Sequence, residues 1–180
     1  MMTFYSRQDK DDDYNAWVTK GNSLSQLERH EEAIGCYDKA IRINPEDFHA
    51  WHNKGNALAK LERHEEAIEC YDKAIRLNPE NFSSWHNKGI SLADLKRYEE
   101  AIECFDEAIR IDPEDYITWY NKGNALTQLD RYEEAIVCYD KAIRLNPETY
   151  GTWNNKGESL KELGRDDEAK ECFAKAKELR

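Results

Sequence analysis

Residues 51–58 read Trp51-His52-Asn53-Lys54-Gly55-Asn56-Ala57-Leu58. The same phrase, Trp-x-x-Lys-Gly-x-x-Leu, also opens at Trp17, Trp85, Trp119 and Trp153, so it recurs every 34 residues. Sixteen residues after each Trp stands the Ala of a Glu-Ala pair: Ala33, Ala67, Ala101, Ala135 and Ala169. A fixed period of this length means stacked units sharing a continuous core, not one globular core. Residues 14–180 divide into units 14–47, 48–81, 82–115, 116–149 and a shorter 150–180. Residues 1–13, with the run Asp11-Asp12-Asp13, read as a polar leader. Within it Phe4 and Tyr5 are candidates to cover the open face of the first unit.

Each unit predicts two helices. In residues 48–81 the first half, Phe48 to Leu61, places Trp51, Gly55, Leu58 and Leu61 at three- and four-residue steps. The second half, Glu65 to Leu77, does the same with Ala67, Ile68, Tyr71, Ala74 and Ile75. Leu61-Glu62-Arg63-His64 is the expected turn, and Asn78-Pro79 the stop. Proline has no amide proton and biases its predecessor away from helix. Pro45, Pro113 and Pro147 repeat the stop.

Glycine inside a helix costs roughly 1 kcal/mol relative to alanine. Gly21, Gly55, Gly89, Gly123 and Gly157 nonetheless fall mid-helix. Close approach of a neighbouring helix explains them, with the periodic alanines (Ala67 opposite Gly55, for example) expected as the facing small residues. Asp38 and Arg42, Asp72 and Arg76, Asp106 and Arg110, and Asp140 and Arg144 are spaced for pairing along the second helices.

Composition narrows the function classes. Net charge is −11, from 26 basic and 37 acidic residues. That acidity opposes a phosphate backbone, so no nucleic-acid partner is expected, while it favours solubility. No apolar run is long enough to cross a membrane, and the N-terminus has no apolar segment of the signal-peptide kind. No membrane partner and a cytoplasmic location are the expectations. Cys36, Cys70, Cys104, Cys138 and Cys172 hold one equivalent position each. Packed helices sit roughly 8–10 Å apart, beyond the about 7 Å Cα separation a disulfide allows. They read as small, reduced, apolar residues.

The unit resembles the tetratricopeptide repeat. The residues that carry the likeness in the second unit are Trp51, Gly55, Leu58, Ala67, Tyr71, Ala74 and Pro79, and the match extends through residues 14–180. Where that family usually has Leu before the Gly, this chain has Lys20, Lys54, Lys88, Lys122 and Lys156, whose stems can be buried with the amine outward. The resemblance implies an all-α, right-handed superhelical solenoid of helix–turn–helix repeats. The pentatricopeptide RNA binders have a similar period, but the Trp–Gly–Pro signature and the negative charge argue against them. In the last unit, positions that are Ile elsewhere become Lys170 and Lys177, seven apart on one helical face. Such a cationic face is expected to end the stack.

No catalytic constellation, cofactor motif or metal set emerges. His49 and His52 can share a helix face, but a metal site needs more ligands at close range. His30 and His64 hold the place of Tyr98 and Tyr132 and read as packing residues. The resemblance implies that the first helices line a concave groove through their second, fifth, sixth, ninth, twelfth and thirteenth places. The sixth carries Asn53, Asn87, Asn121 and Asn155, with Thr19 in the first unit. The ninth carries Asn22, Asn56 and Asn124, with Ile90 and Glu158 as departures. An amide offers a donor and an acceptor, which matches the backbone of an extended peptide. His52, His86 and Tyr120 at the fifth place would add side-chain selectivity. The two-carboxylate clamp of co-chaperone relatives needs lysines and an arginine where this chain has Val18, His52, His86, Tyr120 and Asn154, so that mode is not expected. The reading is therefore a non-enzymatic protein–protein interaction scaffold, a monomer with room for weak self-association, holding a protein or peptide in its groove. The alternative is an assembly module working through its convex face or N-terminal end.

Overall fold

The computed structural model describes residues 7–180, with side chains from Asp12 onward; Phe4 and Tyr5 lie outside the described residues. Ten α-helices follow one another without a strand among those residues: α1 (Arg7–Gln26), α2 (His30–Ile43), α3 (Phe48–Lys60), α4 (His64–Leu77), α5 (Phe82–Asp94), α6 (Tyr98–Ile111), α7 (Tyr116–Gln128), α8 (Tyr132–Leu145), α9 (Tyr150–Glu162) and α10 (Asp166–Glu178). Helix α1 starts at Arg7, within the segment read as a leader. The chain forms two compact units, residues 1–91 and 92–180.

In the first unit α1 packs on α2, α2 on α3, and α3 on α4; in the second, α6 packs on α7, α7 on α8, α8 on α9, and α9 on α10. The first core combines Leu24, Ala33, Cys36, Tyr37, Leu58, Ala67, Cys70 and Tyr71, with Trp17 and Trp51 half-buried against it. Tyr14, Ala40 and Ala50 form a second cluster beside it. In the other unit Ile136, Leu160, Ala169 and Cys172 cluster, with Trp153, Leu163 and Phe173 packed against them. Leu58, Leu126 and Leu160 are each 1% exposed. Burial at that level is worth about 1.5–3 kcal/mol per side chain.

The glycine reading is half right. A Cβ on Gly55 would sit 2.6 Å from Cε1 of Tyr71, and Gly21, Gly123 and Gly157 stand the same way against Tyr37, Tyr139 and Phe173. The close approach is real, but the facing group is the flat aromatic ring, not the alanine. A ring laid on a helix backbone leaves no room for a methyl.

The aspartate carboxylates expected to pair with arginines along their own helices are paired with lysines. Lys54 Nζ reaches Asp38 Oδ1 at 2.7 Å, Lys88 reaches Asp72 at 2.6 Å, and Lys156 reaches Asp140 at 2.6 Å. Lys122 pairs with Asp106 in the same way. Each lysine thus ties its first helix to the second helix of the preceding repeat. Their side chains are only 19–22% exposed, so the stems are covered as expected, but the amines end on carboxylates. Along the helix, Arg110 bonds Glu107 and Arg144 Nε donates to the Asp140 carbonyl.

The turns inside the repeats use one device. Arg63 N–H bonds the Leu58 carbonyl and Glu62 N–H the Ala59 carbonyl, both at 3.0 Å, which places Glu62 in the left-handed region at φ 59°. Glu28, Lys96 and Asp130 share that conformation at φ 59°, 60° and 56°, and Gly164 holds it at φ 71°. The turns between repeats are tied by tryptophan. The indole N–H donates to the proline carbonyl six residues earlier: Trp51 to Pro45, Trp85 to Pro79, Trp119 to Pro113 and Trp153 to Pro147, at 2.9–3.0 Å. The recurrent Trp and Pro are therefore one hydrogen-bonded unit. Asp47 and Asp115 then cap the helices that follow, accepting from the His49 and Thr118 amides.

Candidate functional site

The asparagines of the first helices meet one another across repeats. In the unit of residues 1–91, Asn53 Nδ2 donates to Asn22 Oδ1 at 3.1 Å and Asn87 Nδ2 donates to Asn56 Oδ1 at 2.8 Å. In the unit of residues 92–180, Asn155 Nδ2 donates to Asn124 Oδ1 at 2.9 Å and to the Tyr120 hydroxyl at 3.2 Å. Each ninth-place carbonyl also accepts a phenol: Tyr37 bonds Asn22, Tyr71 bonds Asn56 and Tyr139 bonds Asn124, all at 2.9 Å. A carbonyl oxygen has two lone pairs, so these three are filled. The pattern is visible in the sequence: where the ninth place is Ile90 or Glu158, the matching aromatic is Phe105 or Phe173, without a hydroxyl.

These contacts fix how the amides within each unit are oriented. They leave the Oδ1 of Asn53, Asn87 and Asn155 and the Nδ2 of Asn22 and Asn124 as hydrogen-bonding capacity not used among the described residues. The side chains are within reach of solvent, Asn22 exposed and the others half-buried.

The fifth-place residues behave differently from free recognition groups. His52 Nδ1 lies 2.9 Å from Ser84 Oγ, and Asn56 Nδ2 lies 3.0 Å from His52 Nε2. An amide nitrogen only donates, so Nε2 accepts and the proton sits on Nδ1, facing Ser84. Burial, aided by the nearby His49, pulls the His52 pKa down to about 4, so the ring is neutral. His52 therefore holds Asn56 in place. His86 stacks on Phe82 with ring centroids 5.5 Å apart. Tyr120 receives the Asn155 amide and lies against Gly151, where an added Cβ would stand 3.4 Å from its hydroxyl. Thr127 joins Tyr139 at 3.0 Å, extending the polar network under Asn124.

The remaining chemistry is quiet. All five cysteines are buried and free. Burial pushes the Cys70 and Cys138 thiols up to about 11, which keeps them protonated at neutral pH. Among the described residues, no group of three or more His, Cys, Asp or Glu is placed to hold a metal ion. No helix among them is long and apolar enough to cross a membrane.

Comparison with known proteins agrees with this architecture. MamA from Desulfovibrio magneticus RS-1 has 25% identity and a TM-score of 0.89, with 93% of this chain and 95% of that chain covered. A MamA RS-1 double mutant superposes at TM-score 0.90 with 25% identity, covering 93% and 94% of the two chains. YrrB, described as a TPR protein with an unusual peptide-binding site, has 22% identity and TM-score 0.82 over 91% of this chain and 84% of its own. No curated protein matches the chain significantly. The fold is thus the all-α tetratricopeptide solenoid, and the protein is an interaction scaffold of a kind that is typically non-catalytic. The family model described as Cilia and flagella-associated protein 70 C-terminal domain matches residues 2–180, so the chain belongs to that family of tetratricopeptide repeats.

Proposed function

We propose that the first-helix faces hold an extended protein segment by its backbone. The observation that supports this reading most is the oriented row of amides. Tyrosine hydroxyls and neighbouring amides lock one end of Asn22, Asn53, Asn87, Asn124 and Asn155, and the other end is left for a ligand. Groups held in place before binding lose less side-chain entropy when the ligand arrives. Backbone recognition also suits a face with few charges: places five, six and nine carry only Glu158 as an ionised group. The peptide-binding site named for YrrB is in keeping with such a role for the fold.

The test is a pull-down read by mass spectrometry. It compares wild type with a variant carrying Asn53→Ala, Asn87→Ala, Asn121→Ala and Asn155→Ala, with circular dichroism to show that the variant folds. Partners captured by wild type and lost from the folded variant support the reading. Equal capture by both would move the interaction to the second-helix faces or the N-terminal end.

A further inference from the structure

Helix α7 differs from the other first helices in how its sixth-place amide is held. Asn53, Asn87 and Asn155 each give a proton to a ninth-place asparagine. For Asn121 the corresponding ninth-place residue in the sequence is Ile90, which cannot accept. Among the described residues the Asn121 side chain makes no hydrogen bond, and it is half-buried. It keeps a donor and an acceptor together, the pair needed for the N–H and C=O of one peptide residue.

Asn121 lies on α7 between an exposed apolar side chain and the Tyr120–Asn155 hydrogen bond. Ile117, one helical turn away, is 43% exposed. Tyr120 beside it faces Gly151 of α9. The other repeats carry a side chain at the place of Gly151, namely Asn15, His49, Ser83 and Ile117. With no side chain at Gly151, the Tyr120 hydroxyl lies directly against the α9 backbone. The single charged side chain on α7 is Lys122, already tied to Asp106. Further along α9, Glu158 and Glu162 are exposed and one turn apart.

From Gly151 to Glu158 is seven residues of helix, about 10 Å at the usual rise. An extended chain covers that in about three residues. We infer that α7 and α9 bind an extended peptide with an apolar side chain over Ile117 and Gly151 and a Lys or Arg about three residues away over Glu158 and Glu162, gripped at its backbone by Asn121. This rests on the groove reading above and adds what the segment must look like.

The experiment is selection of a phage-displayed random 12-residue peptide library on the full chain. The most enriched peptide is then synthesised, and its affinity is measured by fluorescence anisotropy. The Asn121 side chain makes no hydrogen bond among the described residues, and Gly151→His places a residue found at His49, so both variants are expected to fold. Circular dichroism checks it. The expected result is an apolar residue and a basic residue about three apart in the enriched set. Asn121→Ala and Gly151→His should each weaken binding about tenfold or more, consistent with loss of about 1.4 kcal/mol. Glu158→Gln with Glu162→Gln should weaken it and flatten its salt dependence. Wild-type affinity in Asn121→Ala and Gly151→His, with loss only in Asn53→Ala and Asn87→Ala, would overturn this inference and leave the groove reading standing. Enrichment of no peptide, or of peptides that bind the four-asparagine variant equally, would overturn both. A wild type that dimerises in sedimentation while Asn121→Ala and Gly151→His stay monomeric would assign the face to a second copy and also overturn it.

Discussion

At Gly55 the backbone of α3 lies under the ring of Tyr71, with 2.6 Å between a built Cβ and Cε1. Gly55→Ala should therefore destabilise the protein by about 1–3 kcal/mol, against the usual gain from alanine in a helix. Urea unfolding would show a lower midpoint at unchanged slope; an unchanged or raised midpoint would mean that the ring moves freely. His52 gives a pH prediction. Its pKa falls from 6.5 in a free chain to about 4 in the fold, chiefly through burial. Above pH 6.5 both states are neutral and its contribution is complete. Between 6.5 and about 4 the unfolded chain takes up a proton that the fold refuses, so stability is lost as pH falls. The loss is on the order of 3 kcal/mol over that window. Relative to wild type, His52→Gln should have a flatter stability profile between pH 4 and 6.5. Parallel profiles would place the proton elsewhere.

At the scale of the element, the ends of the first helices carry the most correctable strain. Glu28, Glu62, Lys96 and Asp130 occupy the left-handed region that Gly164 occupies without penalty. A side chain there costs roughly 1–2 kcal/mol, partly offset by the flexibility glycine adds to the unfolded chain. Glu62→Gly and Asp130→Gly should each raise stability by about 0.5–1 kcal/mol, and Gly164→Ala should lower it by about the same. Thermal unfolding of the three single variants checks the signs. Helix periods and the proline stops were legible in the sequence: α3 and α4 fall within a residue of their expected bounds. The left-handed turns at Glu28, Glu62, Lys96 and Asp130 were not, because Glu, Lys and Asp do not announce a positive φ. The Lys–Asp ties were missed for another reason. Their constant spacing of 16 residues joins different repeats, and helix-face arithmetic looks only within one helix.

At the scale of the molecule, the proposed recognition would draw on side chains that also hold one another in place. Asn22, Asn56 and Asn124 were legible as a row, but not that tyrosines and sixth-place asparagines fill their carbonyls. The clue lay in paired changes, Ile90 with Phe105 and Glu158 with Phe173, which an inventory of motifs passes over. His52 read as a selectivity residue, and its hydrogen bond to Asn56 was not legible in the sequence. Thus the fold could be read from the period, whereas the hydrogen bonds that orient the first-helix asparagines show only in the folded chain. The most direct test of backbone gripping is a ¹H–¹⁵N spectrum of the asparagine side-chain amides during titration with a peptide selected on the full chain. The account predicts shifts at the amides of Asn121 and Asn124, with smaller changes at second-helix residues. Shifts confined to the second helices, with every first-helix amide unmoved at saturation, would contradict it.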